Sequence, residues 1–397
     1  VNGDLARPLR VLSIATLFPD ETRPNFGIFV ERSLAAAARQ AGIALTVVAP
    51  LGLPPWPLSL HPRYRALTRL PAVESRNGLT IHRPRFTLIP GLAARNAKAV
   101  AAAVLPIARK ETAQGGLDLI DAQFFWPDGV AAQRIAGALG LPFSAKARGG
   151  DISLWARRAD TAPLVLGAAR KAACMLAVAD SLADDMASLG MPRDRIVTHH
   201  TGIDPALFHP TDRAAARAGW GWPGDGPIIL SVGALIPRKG QEHVIRALPL
   251  LPADCRYVIA GTGPDREQLA ALAAELGVED RVLFTGAVPN ADLPALYSAA
   301  DAMVLMSTSE GLANVWVEAL SCGTPLILSD IPPAHEIIDA PDAGRISASA
   351  PDQLAAAIHA VLASPPDRAA LSARTHARFS WDRNGAELAD YWRRITA

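Results

Sequence analysis

At 397 residues the chain is too long for one ordinary hydrophobic core and comfortable as two. Half its residues are hydrophobic and 19% are charged, which excludes a disordered chain, and three scattered cysteines exclude a disulfide scaffold. The net charge of +1 hides an asymmetry: residues 1–200 carry 24 Lys+Arg against 15 Asp+Glu, and the remainder carries 15 against 23. The first apolar run, LRVLSIATLF, is shorter than a membrane span and predicts a buried first strand over 9–16, not a signal peptide. A helix is expected over Gly27 to Gln40. Further strands are expected near 43–49, 79–84, 117–122, 142–147, 174–179 and 195–199, with helical periodicity between most of them. The segment from Leu51 to Gly78, rich in Pro and Arg, reads as an irregular insertion.

A second series of short, continuous apolar runs begins at PIILSVGAL (227–235). It continues through RYVIAG (256–261), RVLFTG (281–286), AMVLM (302–306) and PLILSD (325–330). Such runs are expected of parallel strands covered on both faces. Between the series lies 201–226, whose Pro, Gly and Asp punctuation reads as an interdomain linker. The fold class is therefore α/β with two doubly wound domains. In such sheets ligands bind at the carboxyl ends of the strands, so two facing domains would make one deep cleft.

The most informative segment is SEGLANVWVEALSCGTPLI, residues 309–327. Glu310 and Glu318 are separated by seven residues, with Gly311-Leu312 after the first and helical sequence before the second. A Gly-initiated helix start presents unpaired N–H groups suited to hydroxyls or phosphate oxygens, and a carboxylate further along it can accept from ribose hydroxyls. Two ordinary surface glutamates would show the same spacing; the surrounding E-G-L-x-N-x-x-x-E-A-L-x-C-G-T-P speaks against that reading.

This segment resembles the nucleotide-sugar signature of the retaining glycosyltransferases of family four, which have the GT-B fold. SVGALIPRKGQEHVIRAL and IAGTGPDREQLAALAAELGVEDRVLFTGAVPNADLPALYSAAD resemble successive units of that family's donor domain. NFGIFVERS, IDAQFFWPDGVAA and KARGGDI resemble its acceptor domain more loosely, and FSWDRNGAELADYW is similar to the helix that crosses back onto the first domain. The relatives in view are bacterial exopolysaccharide and teichuronic-acid-type glycosyltransferases. The resemblance implies two Rossmann-like domains facing across a cleft: an acceptor domain over 1–200, the linker over 201–226, a donor domain over 227–378 and a crossover helix over 379–397.

It also implies roles. Glu310 would sit beside the donor sugar, with the backbone of Gly311, Leu312, Ala313 and Asn314 near sugar hydroxyls and phosphate, and Glu318 would hold the ribose. Lys239 would neutralise the diphosphate leaving group. Gly261 and Gly263 would permit close backbone approach to a ligand, Val288 would lie against the base, and Gly27 would open a helix facing the diphosphate from the other domain. Two departures stand out. Ala234 occupies a position where family members commonly carry Arg, and Arg148-Gly149 replaces a common His-Gly. Arg238 is a candidate second cation, although adjacent side chains usually diverge. Arg148 reads either as a charge reaching across the cleft in place of the missing arginine or as a structural ion pair. Asp151 is a candidate for orienting the acceptor.

Other signals point elsewhere. Gly261-Thr262-Gly263 lacks the third glycine of a dinucleotide fingerprint, RKGQ lacks Walker spacing, and His199-His200 has no partner at metal-ligand spacing. The chain also has no Asp-x-Asp triplet. The expectation is an enzyme without a required metal or cofactor, whose co-substrate is a nucleotide diphosphate-sugar. The acceptor would be lipid-linked or a polysaccharide. Transfer to a soluble small molecule, or a catalytically weak nucleotide-sugar-binding protein, are the alternatives. No nucleic-acid partner is implied. Between His61 and Lys110 ten basic residues face a single acid, Glu74, interleaved with WPLSL and YRAL. That stretch reads either as a solvated basic face or as a contact with an anionic bilayer, giving a cytoplasmic protein with peripheral contact at the inner face of the cell membrane.

Overall fold

A computed structural model describes residues 7–222 and 226–397. The chain divides into two compact units, one made of residues up to Gly202 together with Trp381–Ala397, the other of Ile203–Ser380.

In the first unit the strands are β1 (Leu9–Ile14), β2 (Ile43–Val48), β3 (Leu51–Leu53), β4 (Val73–Arg76), β5 (Leu79–His82), β6 (Arg85–Thr87), β7 (Leu119–Ala122), β8 (Phe143–Ala147), β9 (Cys174–Ala177) and β10 (Ile196–Thr198). Eight of them form a sheet in the order β10-β9-β8-β7-β1-β2-β5-β4. Only β4 runs antiparallel, against β5. The strands β7, β8 and β9 are buried along their whole length, as strands covered by helices on both faces are, with Asp121, Ser144 and Lys146 as the buried polar members. The region 51–78 is not irregular. It holds β3, a short helix Pro62–Thr68 and β4, while β3 pairs with β6 in a separate two-stranded sheet. These strands escape a periodicity reading because they are short and half exposed, with β4 alternating charged and polar residues.

The C-terminal helix Trp381–Thr396 belongs to this first unit. Asn384, Leu388, Ala389 and Trp392 recur at helical spacing and form its buried face against the helix Ile28–Ala38. Trp392 is fully buried, and its indole Nε1 donates to Asp121 Oδ1 at 3.2 Å. Asp121 also accepts from Ser13 Oγ, Gln123 Nε2 and Ser144 Oγ, each at 2.7 Å. Buried Lys146 meets His199 Nδ1 at 2.8 Å, and His199 Nε2 donates to the Asn384 carbonyl at 2.9 Å. Burial drives both Lys146 and His199 well below their usual ranges, toward their neutral forms. The histidine thus ties β10 to the C-terminal helix.

In the second unit β11 (Ile228–Val232), β12 (Arg256–Ala260), β13 (Val282–Gly286), β14 (Ala302–Leu305), β15 (Leu326–Ser329) and β16 (Gly344–Ser347) form an all-parallel sheet in the order β13-β12-β11-β14-β15-β16. The stretch 201–226, read as a linker, is mostly part of this unit. Its helix Arg213–Gly219 is capped by Asp212, and Arg217 reaches Asp301 at 2.7 Å and the Ala299 carbonyl at 3.0 Å. Turn residues punctuate a chain whether or not it packs, so composition alone could not separate the two cases. The crossings are narrower, at 202–203 and 380–381, and Ile203 bridges Ser380 beside them.

Candidate active site

Strand order locates a crevice in each sheet. In the second unit the chain moves from β11 outward to β12 and β13, then returns to lay β14 on the other side of β11. The loops after β11 and β14 therefore diverge at a switch point, where open α/β sheets bind ligands. Lys239 follows β11 and Glu310 follows β14. Though 71 residues apart, Lys239 Nζ donates to Glu310 Oε1 at 2.5 Å. Their side chains are only 12% and 9% exposed, so the pair is shielded from water. Arg238 Nη1 reaches the same oxygen at 3.1 Å and donates to the Ser309 carbonyl. Contrary to the expectation that neighbours diverge, both cations converge on one carboxylate. The reason is local: Pro237–Lys239 form a tight 3-10 turn, and the Arg238 carbonyl accepts from Thr308 N–H at 2.9 Å, pinning one loop to the other.

Glycines make this approach possible. Gly240 ends the turn at φ +65°, and a Cβ there would collide with the Met306 carbonyl at the end of β14. A Cβ on Gly261 would strike the Gly233 carbonyl, and one on Gly263 the Leu235 carbonyl. The AGTGP glycines thus serve backbone-on-backbone packing, sealed by Leu235 N–H donating to the Thr262 carbonyl at 3.0 Å. The Cβ direction of each glycine is filled by the neighbouring loop.

The helix after Glu310 runs Asn314–Ser321, capped by Ala313; Gly311 lies in the preceding bend, so the helix is not Gly-initiated. Leu312 is buried, while Gly311, Ala313 and Asn314 are part-exposed. Fully buried Trp316 anchors the helix. Glu318, part-exposed on it, accepts from Tyr297 Oη at 2.9 Å. Burial, together with that carboxylate, holds the Tyr297 phenol well above its usual range, so it remains a donor. Tyr297 is a residue the sequence reading missed; periodicity places it on a buried helix face but says nothing of where its hydroxyl points. Val288 is half-buried just beyond β13.

The first unit has its own switch point, between β1 and β7. Gly27 caps the helix Ile28–Ala38 there. Arg148 and Asp151 follow β8. Asp151 is spent on backbone: Oδ2 accepts from Phe125 N–H and Oδ1 from the N–H groups of Arg148 and Gly149, all at 3.0 Å. A carboxylate so engaged staples two loops together. Arg148 Nη2 donates to Gln123 Oε1 at 2.7 Å and Nε to the Gln123 carbonyl at 3.0 Å, with Phe29 and Phe124 rings 4.9 and 5.5 Å away. The guanidinium's hydrogen bonds are to Gln123, not to a carboxylate, and desolvation pulls its pKa down to about 10.

Asp128, fully buried nearby, accepts from Thr16 N–H at 3.1 Å through Oδ2, while Oδ1 lacks a partner among the described residues. Desolvation pushes its pKa up to about 7. The folded protein then holds a proton that the unfolded chain releases near its ordinary value of about 3.9. The resulting stability is fully present below that lower value and is lost as pH rises through about 7. Asp128→Asn is therefore expected to gain stability over the native protein, by an amount that grows from about pH 4 to about pH 7 and then levels. Unfolding measured across that range checks this; a flat difference would mean the carboxyl is ionised when folded.

Two parallel-sheet Rossmann-like units, with paired cations and carboxylates at a switch point, define a GT-B glycosyltransferase. Residues 30–207 match the family model described as Glycosyltransferase Family 4, and 212–378 match that of Glycosyl transferases group 1. The chain is 27% identical over 329 residues, 81% of each protein, to TuaC of Bacillus subtilis, a candidate glycosyltransferase of teichuronic acid biosynthesis. It is 34% identical over 206 residues to a GDP-mannose-dependent alpha-(1-6)-phosphatidylinositol monomannoside mannosyltransferase of Mycolicibacterium smegmatis. That match takes in 48% of this chain and 54% of the relative, so only about half of the relative is spanned. Among solved structures, sucrose-phosphate synthase of Thermosynechococcus elongatus superposes with a TM-score of 0.79 at 22% identity, over 98% of this chain and 99% of that one. The protein belongs to glycosyltransferase family 4 and is a transferase.

Proposed function

We propose that the enzyme moves a hexose from a nucleotide diphosphate-sugar to a lipid-linked or polysaccharide acceptor, with retention at the anomeric carbon. The observation that carries this reading is the convergence of Lys239 and Arg238 on Glu310 at the switch point. Glu310 engages both cations. An arriving diphosphate would take over Lys239 and Arg238, freeing Glu310 to accept from the hydroxyls of the sugar. Glu318 would hold the ribose, steadied by Tyr297. The bond between the anomeric carbon and the diphosphate oxygen breaks while the acceptor oxygen bonds to that carbon on the same face. The acceptor's proton passes to the departing phosphate oxygen, so no separate base is called for. Charge on the leaving group is met by side chains, so turnover should persist in a metal chelator. The names of the two relatives, one of teichuronic acid biosynthesis and one a phosphatidylinositol monomannoside mannosyltransferase, support this acceptor class. With it goes a cytoplasmic location and peripheral contact with an anionic membrane.

The test is transfer from UDP-glucose, GDP-mannose and related donors to lipid-extract and oligosaccharide acceptors, with product configuration read by NMR. Retained configuration and lipid-soluble product are expected. Transfer confined to a water-soluble acceptor would overturn the acceptor class, and an inverted product would overturn the stereochemistry.

A further inference from the structure

Exposed large apolar side chains gather in one place. Trp56, Leu58 and Leu60 are 78%, 55% and 57% exposed and lie within five residues, around the 3-10 turn Leu58–Leu60. Their exposure does not come from want of a core. The same lobe buries Leu51, Leu67 and Leu70, with Leu53 and Tyr64 packed against them, and β3 is hydrogen-bonded to β6. The turn thus adjoins a packed cluster, with one set of apolar residues inside and another displayed outside. Such a display costs solubility and marks a contact surface.

The surroundings say which contact. The helix that follows, Pro62–Thr68, begins a run of exposed bases: Arg65 lies on it and Arg69 just beyond. The long helix Ala93–Gly115 packs against β6 and exposes Arg95, Lys98, Arg109 and Lys110. The one acid between His61 and Lys110, Glu74, is already paired with Arg83. Apolar prongs rimmed by cations suit a surface that is negative outside and oily beneath.

We infer that Trp56, Leu58 and Leu60 enter the boundary between headgroups and acyl chains of an anionic bilayer, while Arg65 and Arg69 meet lipid phosphates. This rests on the lipid-linked acceptor reading and names the element that makes the membrane contact. The experiment is sedimentation of the full chain with phosphatidylglycerol-containing vesicles and with pure phosphatidylcholine vesicles, at low and high salt. The chain sediments with the anionic vesicles, less so in high salt. The triple variant Trp56→Ser, Leu58→Ser, Leu60→Ser partitions about a hundredfold more weakly, with an unchanged melting temperature.

Wild-type protein that stays in the supernatant, or a triple variant that binds equally, overturns the inference. So does self-association of the wild type that the triple variant abolishes, which would make a second copy the occupant. Turnover is measured in parallel on detergent-solubilised acceptor. Vesicle binding without sugar transfer sinks the acceptor reading and leaves the docking element standing; transfer without vesicle binding does the reverse.

Discussion

Lys239→Ala is expected to lower kcat about a hundred- to a thousandfold and to raise KM as well, because the lysine holds the diphosphate on binding and meets further charge as it departs. The fold should survive the change. Glu310 loses its 2.5 Å partner but keeps Arg238 at 3.1 Å, so no carboxylate is stranded. Arg238→Ala should cost less, since that side chain is 44% exposed and its charge is partly screened. Lys239→Arg should recover part of the lost rate. Steady-state kinetics of the three variants with one donor decides the matter. If Lys239→Ala turns over at the native rate, the convergence at the switch point is a structural ion pair and the proposed chemistry loses its main support.

The largest stability effect is expected from Trp392→Ala. The side chain is fully buried between the C-terminal helix and the first sheet, and removing a buried Trp costs about 3–5 kcal/mol. It also takes one of four donors from Asp121, a fully buried carboxylate. Trp392→Phe keeps most of the bulk and isolates the hydrogen bond, at about 1.5–3 kcal/mol for a bond to a charged group. A two-unit protein does not melt as one transition, so the readout should be residue-resolved hydrogen exchange. Faster exchange in β7 and β1 with β11 and β14 unchanged is the expected pattern. Equal acceleration in both sheets would show that the helix supports the second unit as well.

Most of the architecture was legible before any coordinates. Continuous apolar runs mark strands covered on both faces, and the expected strands of both series match observed ones apart from trimmed ends. Motif resemblance drew attention to the segment holding Glu310 and Glu318. What stayed hidden were β3, β4, β6 and β16, each short and incompletely buried, and the packed character of 201–226.

Sequence alone determined which segments become the buried strands of both sheets, because apolar continuity is a local property of the chain. Tertiary structure decided which side chains meet. Lys239 and Glu310 touch only because β14 is laid beside β11 after two intervening strands, and Arg238 joins them only because the turn is pinned to Thr308. Asp151 reads in sequence as a candidate for orienting the acceptor, and its three backbone N–H partners could not be read there, since a carboxylate's partners depend on loops that only the folded sheet brings together.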